Sequence, residues 1–261
     1  MIMAMLLVVL ATSWGSSNPP NLLTKAPAGK GGLRNERYVA PIAQNGMTFS
    51  QTLPSLPALN PHPLPPTLAQ WETSAEVGDY FSEVEASPLG YLLWSQFPVK
   101  VYLDQSSSKS GGDWVEAVMT AVREWNTYLP LQRVNDRAVA DIIIARSRPP
   151  LNTTRNPETG MIEFSRARTA RTYYEFDIED RTLIHRMIIE ISPDQAKIHT
   201  LATARHEIGH ALGIWGHSPN PEDALYFSQV RKSHPISERD INTLKKIYQQ
   251  PTRLGWEIGN D

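Results

Sequence analysis

The run His206-Glu207-Ile208-Gly209-His210-Ala211-Leu212-Gly213, with His217-Ser218 after it, constrains this chain more than any other stretch. Positions i and i+4 share one face of a helix, so a helix through these residues offers His206 and His210 to a single ion. Zinc is the expected ion, since imidazole nitrogens bind it at about 2.0–2.1 Å in tetrahedral geometry. Glu207 falls about 100° round the helix from His206. It is badly placed as a ligand but within reach of a water held by the metal, where a general base belongs. Gly213 can end the helix, because glycine tolerates positive φ. The chain can then turn back and bring His217 to the same ion. Three protein ligands and an open fourth position describe a catalytic rather than a structural site. Asp223 and His234 stand as alternatives to His217 for the third ligand.

The rest of the chain has to bury one side of this helix. Val99, Val101 and Leu103 alternate with Lys100 and Tyr102, the pattern of a half-buried strand. A helix capped by Asp113 is expected next, with Trp114, Val118, Ala121, Val122 and Trp125 on its apolar face. Ala140 to Ala145 is short and almost continuously apolar, as in a central strand, and Arg148 to Gly160 reads as a loop. Residues Tyr173–Ile178 and Leu183–Ile191 alternate as two strands joined by a hairpin at Glu179-Asp180-Arg181. Ser192 and Pro193 are expected to open the His206 helix, with Ile198, Leu201, Ala202, Ile208, Gly209 and Leu212 as its buried stripe. Arg205 falls inside that stripe and breaks it. Ser237-Glu238-Arg239-Asp240 is a capping box ahead of a last helix bearing Ile241, Leu244, Ile247 and Tyr248, which Pro251 ends. The expectation is an α+β domain: a twisted mixed sheet packed against a long helix and the His206 helix, with a final C-terminal helix.

His-Glu-Ile-Gly-His-Ala-Leu-Gly followed by His-Ser resembles the metzincin zinc proteases, most closely their matrixin branch. The Phe97-to-Leu103 strand, the Ala-Asp-Ile-Ile-Ile strand and the Ile236-to-Ile241 helix start are similar to matrixin elements, so the resemblance covers roughly Tyr91 to Gln250. It implies a zinc endopeptidase with Glu207 as the general base, His206, His210 and His217 as ligands, and a protein or peptide substrate lying along an edge strand, with Tyr173–Ile191 supplying the edge. Two departures stand out. The family's third His falls where Gly216 stands, one residue before His217, so Gly216 is expected to let the turn bulge at positive φ. The family's Met beneath the metal has Tyr226 in its place, and Tyr226 is expected to take over its packing. A catalytically inactive zinc-binding envelope module or scaffold is the alternative function.

Composition narrows the setting. A net charge of −2 gives no electrostatic reason for a nucleic-acid or anionic-membrane partner. The absence of cysteine excludes disulfides, thiolate ligands and the cysteine latency switch of matrixin zymogens. Residues 1–17 read as a secretory signal, since the apolar run Met1–Ala11 is shorter than the roughly 20 residues of a membrane span. Residues 18–67 read as a linker or pro-segment, because ten of the 21 prolines fall between Ser16 and Pro66. Residues 68–261 are then the catalytic domain, with a short helix expected from Leu68 to Val77. A monomer, secreted or periplasmic, or tethered through an uncleaved leader, is expected. His185 is expected to be partly buried and hydrogen-bonded, Glu190 solvated, His199 structural or on the surface, and Trp94, Trp114 and Trp125 in the core.

Overall fold

The structure is a computed structural model that describes residues 10–14, 56–74, 76–105, 109–150, 153–155, 162–164, 169–228 and 234–259. Residues 1–9 and 15–55, which hold most of the stretch expected as a signal and most of the Pro-rich stretch, lie outside the described residues. In chain order the elements are β1 (Leu10–Trp14), α1 (Pro66–Gln70), β2 (Val99–Leu103), α2 (Lys109–Trp125), β3 (Leu131–Val134), β4 (Ile142–Ala145), β5 (Thr153–Arg155), β6 (Ile162–Phe164), β7 (Ala170–Glu179), β8 (Thr182–Ile191), α3 (Lys197–Ala211) and α4 (Glu238–Tyr248). The main sheet runs β1-β7-β8-β4-β2-β3. Strands β3, β2, β4 and β8 are mutually parallel, and β7 returns antiparallel to β8. The α+β expectation holds; β5, inside the stretch expected as a loop, pairs antiparallel with β6, which follows that stretch.

The alternation read from the sequence is the alternation observed. Val99, Val101 and Leu103 point inward from β2, and Ile142, Ile143 and Ile144 of the central β4 are all buried. The β7–β8 hairpin turns through Asp180 and Arg181, both at positive φ (46° and 65°), as a two-residue turn of primed type requires. On its inner face Thr172 lies opposite Ile189, Tyr174 opposite Met187 and Phe176 opposite His185. That face receives α3, which is also flanked by α2. Trp114, Val118, Ala121, Val122 and Trp125 of α2 are buried as expected, and so is Trp94.

The helix starts differ from expectation. Helix α2 begins at Lys109, ahead of Asp113, and runs through Gly111 and Gly112; the well-packed later turns carry a weak first turn with them. Helix α3 begins at Lys197 rather than at Ser192-Pro193, because the Ser192 amide still donates to the Thr169 carbonyl (2.8 Å) and so continues the sheet ladder. Helix α1 stops at Gln70, before Trp71, and does not reach Val77. Only α4 starts as written: Ser237 Oγ accepts from the Asp240 amide (3.1 Å) and Asp240 Oδ2 accepts from the Ser237 amide (2.8 Å).

The end of the Pro-rich stretch lies on the domain. Asn60 and Thr252 exchange backbone hydrogen bonds of 3.2 and 3.0 Å, Leu68 is buried, and His62 stacks on Trp256 with ring centroids 4.2 Å apart. The C-terminal tail is tied to the start of β8, where Leu183 and Gly255 donate to Trp256 and Leu183 carbonyls at 3.0 and 2.7 Å. Among the described residues no helix is long and apolar enough to cross a membrane.

Candidate metal centre

Helix α3 ends on Gly213 at φ 123°. Gly213 and Ile214 amides donate back to His210 and Gly209 carbonyls at 3.0 and 3.1 Å, which is a Schellman closure. The carbonyls left over at the helix end are taken by side chains. Trp94 Nε1 donates to Ala211 (2.9 Å) and Tyr248 Oη to Leu212 (3.0 Å). The turn then reverses and presents the Ile214 carbonyl to His210 Nδ1 at 2.7 Å. His206 Nδ1 meets the Ala224 carbonyl at 3.0 Å, and the Ala224 amide is itself fixed by Asp240 Oδ2 at 3.0 Å. The α4 capping box thus reaches, through one loop residue, to the orientation of His206.

With Nδ1 of each ring donating to a carbonyl, the Nε2 lone pairs of His206 and His210 face one another at 3.0 Å. His217 joins them: the ligand nitrogens of the three lie within 4.8 Å of one another. Tetrahedral bonds of about 2.0–2.1 Å put nitrogens about 3.3 Å apart, so modest closure of this cluster would suit zinc. His217 Nε2 is buried and without a hydrogen-bond partner, so its lone pair suits a metal ion. Burial lowers the pKa of His206 to about 3, that of His210 well below the imidazole range, and that of His217 less drastically. All three are therefore neutral, which is the state that binds a metal.

Asp223 and His234 are not brought to the cluster. Asp223 accepts from Ser218 Oγ (2.5 Å), Arg239 Nε (3.0 Å) and Ser237 Oγ (2.7 Å), so both its oxygens are engaged in holding the loop. His234 lies with Arg239 and Glu238 along a separate surface groove. His199, partly exposed near the start of α3, lies outside the cluster.

Glu207 is 1% exposed. Its Oε2 accepts from Thr172 Oγ1 at 2.6 Å, and its Oε1 has no partner. Burial raises its pKa to about 8, with the Thr172 hydrogen bond opposing. A cation among the three imidazoles would favour the carboxylate again. Donor set, orphaned His217 nitrogen and buried carboxylate therefore all fit a divalent metal.

Several expectations about the surroundings are corrected. Ile208, Gly209 and Leu212 of the expected α3 stripe are buried, but earlier in the helix the buried places go to Thr200, Thr203 and Ala204, while Leu201 and Ala202 are partly exposed and Ile198 is 56% exposed. The first turns of α3 bury threonines, which the apolar stripe passes over. Leu225 packs against Gly209 of the helix. It is fully buried, and a Cβ on Gly209 would meet its Cδ2 at 2.6 Å, whereas Tyr226 is partly exposed. Gly216 is not among the positive-φ glycines. His185 is buried with Nε2 unpartnered, stacked on Trp94 at 3.9 Å. Glu190 pairs with Arg171 across the hairpin at 2.5 Å. The sequence reading missed Thr172; its one signal is a hydroxyl on the inward row of β7, among Ala170, Tyr174 and Phe176.

No curated protein matches the chain. The family model Peptidase_M10: Matrixin matches residues 94–249, close to the span over which the resemblance was read. That is more than half of the chain, which therefore belongs to the matrixin family.

Proposed function

We propose that the chain is a zinc endopeptidase in which Glu207 is the general base and His206, His210 and His217 are the ligands. Matrixins are zinc metalloendopeptidases, and the three converging imidazoles beside a buried, half-partnered Glu207 are the observation that carries the reading to these residues. Zinc held there would supply Lewis acidity toward the scissile carbonyl and acidify a water. Glu207 takes the proton of the attacking water on Oε1 and hands it to the leaving amine nitrogen. Burial keeps bulk water from competing for that proton.

The substrate, an extended protein or peptide segment, adds as a strand to the outer edge of β7. In the structure that edge carries β1, paired antiparallel from Leu10↔Tyr174 to Trp14↔Ala170. Export with loss of residues 1–17 would remove β1 and open the edge. The protein then acts outside the cytoplasm as a monomer.

The test is zinc content and cleavage of an unfolded protein by the wild type beside four variants. Glu207→Ala keeps its zinc and loses cleavage, His217→Ala loses zinc, and Asp223→Asn and His234→Ala keep it. Cleavage by Glu207→Ala at the wild-type rate would sink the mechanism. Absence of cleavage by a zinc-loaded wild type would favour the inactive module.

A further inference from the structure

We infer that Thr172 is the positioning residue for the Glu207 carboxyl group: its hydroxyl holds Oε2 and leaves Oε1 as the oxygen that exchanges protons. The inference rests on the reading of Glu207 as the base. Thr172 is 0% exposed, on the inward row of β7. A hydroxyl buried there needs a partner, and its two contacts are both to one residue: Oε2 of Glu207 at 2.6 Å and the Glu207 carbonyl at 3.2 Å. The shorter contact matches a hydroxyl donating to a carboxylate.

Both ends of this bond are stiff. Thr172 is β-branched, with restricted χ1, and its backbone is fixed by the pairing with Ile189 on β8. Glu207 is on the buried flank of α3, whose end is closed by the Gly213 turn. A glutamate has three side-chain rotors, and without the tether its carboxyl group would be free to turn among them. The tether also makes the two oxygens unequal, since Oε1 is left without a partner. Packing alone does not ask for threonine. Valine has nearly the same shape and high strand preference, so the hydroxyl is the part that needs a reason.

The experiment compares Thr172→Val, Thr172→Ser and Thr172→Ala in the full chain loaded with zinc. Thr172→Val is expected to lower kcat about tenfold to hundredfold, with KM within about twofold and zinc content unchanged. Thr172→Ser restores the hydroxyl and is expected within about threefold of wild-type kcat. Thr172→Ala, which makes no steric demand, repeats the loss and replaces valine if that variant does not fold. A second readout needs no activity. In metal-free protein, the urea midpoints of Thr172→Val, Glu207→Gln and the double variant are expected to be non-additive, the double resembling the larger single.

Wild-type kcat in Thr172→Val, an equal loss in Thr172→Ser, additive midpoints, or loss of zinc from Thr172→Val would each overturn the inference. Glu207→Gln separates it from the reading beneath it. If that variant keeps its activity, the general-base assignment fails whatever Thr172 does. If it is inactive while Thr172→Val is unchanged, only the inference about Thr172 fails.

Discussion

Glu83 and Gly216 touch backbone to backbone: a Cβ at Gly216 would sit on the Glu83 carbonyl oxygen. The segment around Glu83 straps the turn that carries His217, with Val84 bridged to Gly216 and the Glu85 amide donating to the Trp215 carbonyl at 2.9 Å. Glycine is therefore required here by close approach rather than by positive φ. Gly216→Ala should displace either the strap or His217 and weaken zinc affinity about tenfold to hundredfold, measured by competition with a chelator. Gly112→Ala is the contrast. A Cβ there meets nothing within 4 Å, so affinity should not change and stability should rise by about 0.5–1 kcal/mol.

Arg205, the residue that broke the expected stripe, has its partner on α2. Its Nε and Nη2 donate to the two oxygens of Glu124 at 2.6 and 2.7 Å, and its Nη1 donates to the His234 carbonyl at 3.1 Å. The Arg205 side chain is 12% exposed and that of Glu124 32%. This pair is intermediate between a surface bridge and a fully buried one. Arg205→Ala should lower stability by about 1–3 kcal/mol in urea unfolding. Glu124→Gln should cost less, and the two should be non-additive. Zinc content should be unaffected in both.

These two contacts show where sequence reading stops. The strands and the faces of α2 and α4 were legible because side-chain period reports burial directly: β2, β7 and β8 keep the expected parity, and β4 is buried on both faces as its continuous apolar run implies. His206, Glu207 and His210 were legible because their spacing lies within one helix. His217 was legible as a candidate but not as the member that joins, since Asp223 is withdrawn only by Ser218, Ser237 and Arg239, residues up to 16 positions away in the chain. The carboxylate that pairs with Arg205 and the hydroxyl that holds Glu207 lie 81 and 35 residues off, on α2 and β7. Nothing local in the sequence points across such distances. The α3 stripe was misread because threonines, hydrogen-bonded to Ala196 and Gln195, fill buried places that a hydropathy pattern gives to leucine.

His185 gives a pH dependence separate from the metal centre. Burial against Trp94 lowers its folded pKa from 6.5 to about 3. Between these values the unfolded chain binds the proton and the folded chain does not. The stability this residue contributes is therefore complete above pH 6.5 and falls as pH drops from there towards 3, by up to about 1.4 kcal/mol per pH unit. His185→Phe keeps a ring on Trp94 and removes the titration. The stability of this variant should decline less steeply than wild type between pH 6 and pH 4, in approximate terms, when both are unfolded by urea in the same metal state. Parallel pH profiles would contradict the assignment.

The β1–β7 pairing makes the N-terminus a competitor for the proposed substrate edge. Five residues of β1, Leu10 to Trp14, run antiparallel along β7 from Tyr174 to Ala170, and the last of these positions are beside Thr172, whose hydroxyl meets Glu207. A substrate strand cannot form a ladder with β7 while β1 holds it, because each edge has one set of outward amides and carbonyls. Binding would then require β1 to leave, which multiplies the apparent KM by the reciprocal of the fraction in which it is displaced. A chain beginning at Asn18 should therefore show a lower KM than the full chain for the same unfolded protein, with kcat little changed, since neither the three histidines nor Glu207 are altered. Steady-state kinetics on the two forms decides the matter. Equal KM values would mean that β1 does not hold this edge in solution, or that the substrate binds elsewhere, and a fall in kcat on trimming would mean that the N-terminal residues support the site rather than cover it.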